Sequence, residues 1–313
     1  MALCRLSSPL VKRVPKKVLP LFAKTWGDLL SDAVFSGSVS AWWGFFAFPR
    51  LVLLTPTRGG SKLSAAKRSI TALIQQRIVD WPVQSERARM LQEAQKRSIR
   101  PRDIRIVDEE PGKGVESAIV RALRLGDVKK ALRLLCSAPL ADKGPETLAA
   151  LKRLHPAGDE PEPIPSYPAP HWSPEVVGPS LSSFGPGSAA GLFGYTPFHL
   201  QQCFTAGSWS FSRALCAAVN HFSSGTAPSF LRPFLAGGVS IALRKGASGV
   251  RPVACGDPLR RLVAKCFCLG AKEEIAEYFK GKNYGVGCPG GVEVVAHSLR
   301  DVLRGHAQSS WRC

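Results

Sequence analysis

The chain has 313 residues, 45% of them hydrophobic, and carries 42 Lys+Arg against 23 Asp+Glu for a formal charge of +19. That length fits one large or two ordinary domains, and the apolar content is enough for a buried core, which excludes a chain disordered by composition. The positive excess favours an anionic partner, of which nucleic acid is the commonest, over a basic protein with no specific partner.

The nine cysteines include no C-x-x-C pair, and the six histidines do not fall at zinc-ligand spacing. Dispersed thiols of this kind read as small buried hydrophobes in a reducing compartment, and no metal site is assigned.

Arg5, Lys12, Arg13, Lys16, Lys17 and Lys24 precede the first acid, Asp28. This composition fits a mitochondrial transit peptide, a nuclear basic patch or the front of a larger open reading frame. Prolines at 9, 15 and 20 argue against a long amphipathic helix there, and a nuclear or cytoplasmic address is favoured over a mitochondrial one. Residues 33–49 carry no charge and hold Trp42, Trp43, Phe45, Phe46 and Phe48. The run is at the lower limit for a membrane span, and its serines and glycines point to a buried helix with an aromatic face; no membrane partner is expected. Residues 51–54 continue as a short apolar segment, and 57–68 are polar and basic. Residues 69–81 and 86–97 read as helices, the second charged enough to be a solvated face, the default, or a basic face for nucleic acid. Residues 1–98 thus form a basic, mostly helical N-terminal region.

A linker-like stretch, 99–113, opens a small helical cluster over 99–154. Its helices are expected at 115–125, 128–136 and 146–154, packed through Ile119, Leu123, Leu132, Leu135, Leu148 and Leu151. Residues 155–180 are dense in proline and form a proline-rich linker, a spacer or a docking site for a proline-binding partner. The domain boundary is placed here. Residues 182–194 are rich in Ser, Ala and Gly, which lets backbones approach closely, and helices follow at 196–204 and 211–222.

Residues 239–245 and 250–255 are β-prone runs joined by the Gly-bearing turn 246–249, the pattern of a hairpin. Asp257 is a good N-cap and Pro258 suits the first helical position. The helix that follows puts Leu259, Leu262, Val263, Cys266 and Phe267 on one face, with Arg260, Arg261 and Lys265 on or beside the other.

This stretch resembles the fingers region of reverse transcriptases from non-LTR retroelements. There, a strand ending in Lys, a Gly-containing turn and an Arg-Pro-(Ile/Val) strand precede a Leu-x-Arg-Leu-x-x-Lys helix. Here these are Lys245, residues 246–249, Arg251-Pro252-Val253 and residues 259–265. Residues 183–201 resemble the family's upstream small-residue block ending in His-Leu, and 283–303 its downstream Gly-x-Gly block and helix. The resemblance covers residues 181–313, with a looser likeness upstream to the region preceding the polymerase domain. It implies an α+β, mainly helical fold: a helical N-terminal region plus a partial right-hand polymerase fingers subdomain with a β-hairpin. It also implies that Lys245 and Arg251 contact the phosphates of an incoming nucleotide, and that Arg260, Arg261 and Lys265 contact the nucleic-acid backbone. The physical case is that cations on paired strands can neutralise charge on a triphosphate.

Nucleotide transfer in this family uses metal ions held by carboxylates on an Asp-bearing strand and a Tyr/Phe-x-Asp-Asp turn. Neither is present; the acids after Lys282 are Glu293 and Asp301, both in the helix expected at 292–304. No catalytic residue, metal ligand or cofactor is therefore assigned, Mg²⁺ being expected only with the missing palm. The expectation is a reverse transcriptase fragment, inactive alone, with RNA and/or DNA as partner and dNTP bound only in the complete enzyme. The alternative is a non-enzymatic nucleic-acid-binding protein derived from such a fragment. Gly285, Gly287 and Gly290 also have dinucleotide-fingerprint spacing, but no clear strand leads in and no distal acid follows at the right place. His297 reads as an ordinary helix histidine.

Overall fold

The computed structural model describes residues 3–6, 8–55, 70–98, 116, 119–120, 123–124, 128–136, 140–142, 144–155, 158, 168–185, 187–206, 209–246, 249–286 and 289–309. The basic stretch 57–68, the linker 99–113 and most of the helix expected at 115–125 lie outside the described residues. Among the described residues the chain is mainly helical, with one two-stranded antiparallel sheet.

α1 (Leu19–Ser36) opens with Pro20 in its first turn, where the missing N–H leaves no helical bond unmade. It buries Phe22, Ala23, Trp26, Leu30 and Ala33, a stripe at helical spacing. It stops at Gly37, whose φ of 62° lets its N–H donate to the Ala33 carbonyl. Ser38 then caps α2 (Val39–Val52), its hydroxyl accepting from Ala41 N at 3.2 Å. The single helix expected over 33–49 is thus two, broken where a glycine stop meets a serine start. α2 buries Trp42, Phe45, Phe46, Phe48, Leu51 and Val52, so it is covered nearly all round. No helix among the described residues is long and apolar enough to cross a membrane.

α3 (Ile70–Asp80) and α4 (Gln84–Lys96) close over the end of α2. Buried Arg77 donates to the Val52 and Leu54 carbonyls at 3.2 and 2.6 Å, satisfying acceptors the helix end leaves over. Glu93 on α4 pairs with Arg77 at 3.3 Å and also with Arg97. The charged helix at 86–97 therefore spends part of its charge inside the molecule. Burial, partly offset by Glu93, lowers the Arg77 pKa from its ordinary value.

α5 (Val128–Leu135) and α6 (Pro145–Leu154) belong to the expected helical cluster, but they do not share a leucine core. Leu123, Leu132, Leu135 and Leu148 are all more than half exposed, and α6 buries no residue. The proline-rich linker also ends earlier than its composition suggests. Trp172 is buried, and its backbone exchanges hydrogen bonds with the Asn220 side chain at 2.7 and 3.0 Å. α7 (Pro174–Ser182) follows at once, because a proline is tolerated in a first turn.

α8 (Pro197–Thr205), α9 (Trp209–Ser223) and the short α10 (Arg232–Ala236) lead to β1 (Gly238–Lys245) and β2 (Gly249–Gly256). α11 (Pro258–Gly270), α12 (Lys272–Phe279) and α13 (Gly291–Ser309) complete the chain. The buried apolar residues form one cluster that draws on both sides of the proline-rich segment, from Val14 and Trp26 to Leu215 and Leu262. Trp26 is at its centre, stacked on Phe45 at 5.5 Å, edge-on to Tyr195 at 5.5 Å and tilted on Phe211 at 5.3 Å. The boundary placed at 155–180 thus runs between two stretches that fill a common core.

α1 and α9 approach so closely that a Cβ on Gly27 would stand 2.7 Å from the Phe211 Cα. Gly27→Ala is expected to destabilise the protein by about 1–3 kcal/mol, the usual range for overpacking against backbone. Gly44→Ala, where the new methyl would meet only Leu29 Cδ2 at 3.6 Å, is expected to be neutral or stabilising by up to about 1 kcal/mol. Urea denaturation of both variants checks the contrast.

Candidate nucleic-acid interface

The hairpin pairs from Gly238 opposite Gly256 to Lys245 opposite Gly249, so its loop is 246–248, one residue shorter than the turn read from the sequence. Side chains opposite one another share a face. Arg251 stands opposite Leu243, and Lys245 is two residues beyond Leu243 on the same strand. The two predicted phosphate contacts therefore lie on one face as diagonal neighbours, about 7–8 Å apart by strand geometry. Both are exposed, and neither is in an ion pair or hydrogen bond among the described residues.

The neighbouring Arg244 points to the opposite face and is engaged. Its Nη2 meets both carboxylate oxygens of Asp142 at 2.8 Å. Beside it, Ala141 N donates to Ala242 O at 2.9 Å, extending the edge of β1 by an isolated bridge. α6 rests on β2, and a polar groove there is lined by Asp142, Glu146, Arg153, Arg244 and Val250. One face of the hairpin is thus partly covered, around Ala242, Val250 and Pro252, and the face with Lys245 and Arg251 is the more open.

The base of the hairpin is fixed by Asp257. As the sequence suggested, it caps α11, Oδ1 accepting from Leu259 N at 2.9 Å. The sequence did not show that this carboxylate is fully buried, nor that Tyr195 donates to the same oxygen at 2.7 Å. Its Oδ2 has no hydrogen-bond partner among the described residues. Burial pushes the carboxyl up to about 6, against the pull of the Tyr195 and Leu259 hydrogen bonds and of the Arg261 and Arg260 charges. Burial and the adjacent carboxylate together hold the Tyr195 hydroxyl well above its ordinary pKa. Gly191 packs on this corner, where a Cβ would come 2.6 Å from the Asp257 Cα.

The three helix cations are brought together with the small-residue block. Arg260 donates to Ala236 O at 2.9 Å, and Arg261 donates to Ala189 O. Lys265 donates to Ser183 Oγ at 2.8 Å and lies 4.9 Å from the centre of the Phe184 ring, over which Arg261 also sits at 5.6 Å. These side chains tie Ser183, Phe184, Ala189 and the end of α10 to α11, a structural engagement that their sequence positions alone do not reveal.

Downstream, Gly285 N donates to Asn283 Oδ1 at 2.8 Å and α13 begins at Gly291; Gly287 lies outside the described residues. The element leading into this block is a helix, α12, so the strand that a dinucleotide fingerprint requires is not there. His297 is exposed on α13. The described cysteines are free thiols; Cys203, Cys216 and Cys266 are buried, with Cys216 raised by burial to about 11, whereas Cys136 and Cys268 are exposed. Among the described residues no three His, Cys, Asp or Glu side chains converge.

Compared with protein-family models, curated proteins and solved structures, the chain matches none.

The raised Asp257 pKa has a definite sign. A carboxyl at about 6 in the folded state and 3.8 in its ordinary state contributes stability that is full below pH 4 and is lost as pH rises through 6. Asp257→Asn keeps both acceptor roles of Oδ1 without the charge. Its stability relative to the unaltered protein is expected to rise between pH 4 and 6, reaching a gain of at most about 3 kcal/mol above that window. Asp257→Ala loses the cap and leaves Tyr195 unpaired, and is expected to cost about 1–3 kcal/mol even at pH 4. Denaturant midpoints across that pH range separate the two.

Proposed function

We propose that this chain is a fingers-type part of a non-LTR retroelement reverse transcriptase, with Lys245 and Arg251 as the contacts for a nucleotide's phosphates. The observation that carries the reading is the hairpin's asymmetry. Of the three strand cations near the turn, Arg244 is neutralised by Asp142, while Lys245 and Arg251 share the open face without an acid. Two cations on adjacent strands suit a polyphosphate, the Arg able to donate twice. The positive excess over the whole chain supports an anionic partner. Arg260, Arg261 and Lys265 serve in this reading chiefly to set the small-residue block against α11; Arg261 Nε is buried, and the exposed Arg260 offers the freest N–H groups to a nucleic-acid backbone.

The carboxylates that such chemistry needs are not found in the family's pattern among these residues. The proposed role is accordingly binding, with metal-assisted transfer assigned to the family's palm and not to residues of this chain.

Inorganic tripolyphosphate, titrated calorimetrically into the 313-residue chain at low salt, is expected to bind. Lys245→Ala and Arg251→Ala are each expected to weaken it about tenfold or more, the usual loss for a charge-assisted hydrogen bond. Binding unchanged in the double variant would sink the assignment. Loss of tripolyphosphate binding from the unaltered chain, with oligonucleotide binding retained, would favour a nucleic-acid-binding protein without nucleotide chemistry.

A further inference from the structure

The basic N-terminal segment is built into the molecule. Ser8 Oγ donates to Ala94 O at 2.7 Å, Val11 N to Leu53 O at 2.7 Å and Thr55 N to Pro9 O at 3.1 Å. Gln202 on α8 then clamps Val14 from both sides, its Oε1 accepting from Val14 N at 3.0 Å and its Nε2 donating to Val14 O at 3.2 Å. Buried His199 accepts from Thr196 N through Nδ1 and so donates to Val11 O through Nε2, at 2.9 Å. Val14 and Val18 enter the core at 0% and 3% exposure.

What this strap shows to solvent is charge. Lys12, Arg13, Lys16 and Lys17 are all exposed, and none of their side chains is in an ion pair or hydrogen bond among the described residues. Lys24, by contrast, is paired with Asp28 at 2.7 Å. Because the strap's backbone is already held by Gln202 and His199, binding to these cations would not have to order it. Val14, between them, and Val18, just after them, turn inward, and Leu10 and Val11 are half-buried, so the strap shows no large, fully exposed apolar side chain with which a basic segment enters a lipid surface.

We infer that the strap formed by residues 8–18 is a second anion site, a ledge on which Lys12, Arg13, Lys16 and Lys17 hold the phosphodiester backbone of a single-stranded nucleic acid. This rests on the nucleic-acid reading above but not on the hairpin assignment. Each cation neutralises a phosphate and releases counterions, so the contribution falls with salt in proportion to the number of contacts.

The test is fluorescence anisotropy of the full chain with labelled oligo(rU) and oligo(dT) of equal length over a salt series. The variant Lys12→Ala/Arg13→Ala/Lys16→Ala/Lys17→Ala is expected to lose at least tenfold in affinity at low salt. Its slope of log K against log salt should shallow by up to about 3, four contacts at about 0.7 each on a single strand. Its melting temperature should be unchanged, since the four side chains are exposed, and a variant that exchanges Lys and Arg at the same positions should bind normally. Equal loss on both oligonucleotides supports a backbone ledge common to RNA and DNA; loss on one alone supports the ledge and assigns its source. An unaltered slope, or no oligonucleotide binding by the unaltered chain, overturns the proposal. So does binding to phosphatidylserine vesicles that the variant loses while oligonucleotide binding persists. Tripolyphosphate binding by the strap variant reports on the hairpin separately, so failure of one assignment is not mistaken for failure of the other.

Discussion

The hydrogen bond from Tyr195 to Asp257 joins the hydrophobic core to the hairpin. A two-stranded hairpin is marginal in water by itself, so β1 and β2 need an anchor. The anchor is the corner where β2 ends and α11 begins. Asp257 holds that corner twice, by capping α11 and by accepting from Tyr195. Tyr195 in turn lies edge-on to Trp26, the aromatic centre of the core. The chain of contact from Trp26 to Tyr195 to Asp257 fixes where the hairpin leaves the body of the molecule, and with it the position of Lys245 and Arg251. The cost is a buried carboxylate with one unpartnered oxygen, retained where an amide would carry the same hydrogen bonds.

A chain with a charge of +19 must also keep its cations from competing for the same few acids. The structure divides them by role. Arg77 closes the end of α2, Arg244 pins the hairpin to Asp142, and Arg260, Arg261 and Lys265 bind carbonyls, a hydroxyl and a phenyl ring. Each of these is a tether between elements far apart in sequence. Among the described residues the cations at the turn and on the N-terminal strap have no such partner, as is also true of exposed cations such as Arg232, Lys272 and Arg300. Net charge alone does not reveal this division, because an arginine bound to a carbonyl and a lysine without a partner count alike in composition.

What the sequence made legible is what local chemistry determines. The alternating runs around a glycine turn became β1 and β2, Asp257 capped α11, and Pro258 opened it, because those preferences act over a few residues. The break between α1 and α2 was written in Gly37 and Ser38, yet the absence of charge across residues 33–49 concealed it behind a single apolar run. Partners remote in the chain were not legible. Gln202 holds Val14 and Tyr195 holds Asp257, and neither member of either pair carries a local signal for the other. Proline density misled in the same way. It marked residues 155–180 as a spacer, but Trp172 found Asn220 and Ser223 across the core and drew the end of that stretch inside. The leucines assigned to a helical cluster failed for the opposite reason: helical periodicity shows that a face is apolar, not that another element is there to cover it.

The open face of the hairpin combines two properties that strengthen one another. Alongside Lys245 and Arg251 it carries Val239, Ile241 and Val253, each between 37% and 40% exposed. An element laid on those aliphatic side chains would exclude water from the strand end where the two cations stand. Lower local dielectric raises the interaction of a fixed cation with a phosphate severalfold over its value in bulk water. It also makes an unpaired cation costly, so the same covering would favour the occupied over the empty site. On the proposed reading, the cations at the tip and the apolar strip beneath them would act together, a covering of the strip strengthening any phosphate contact at the tip.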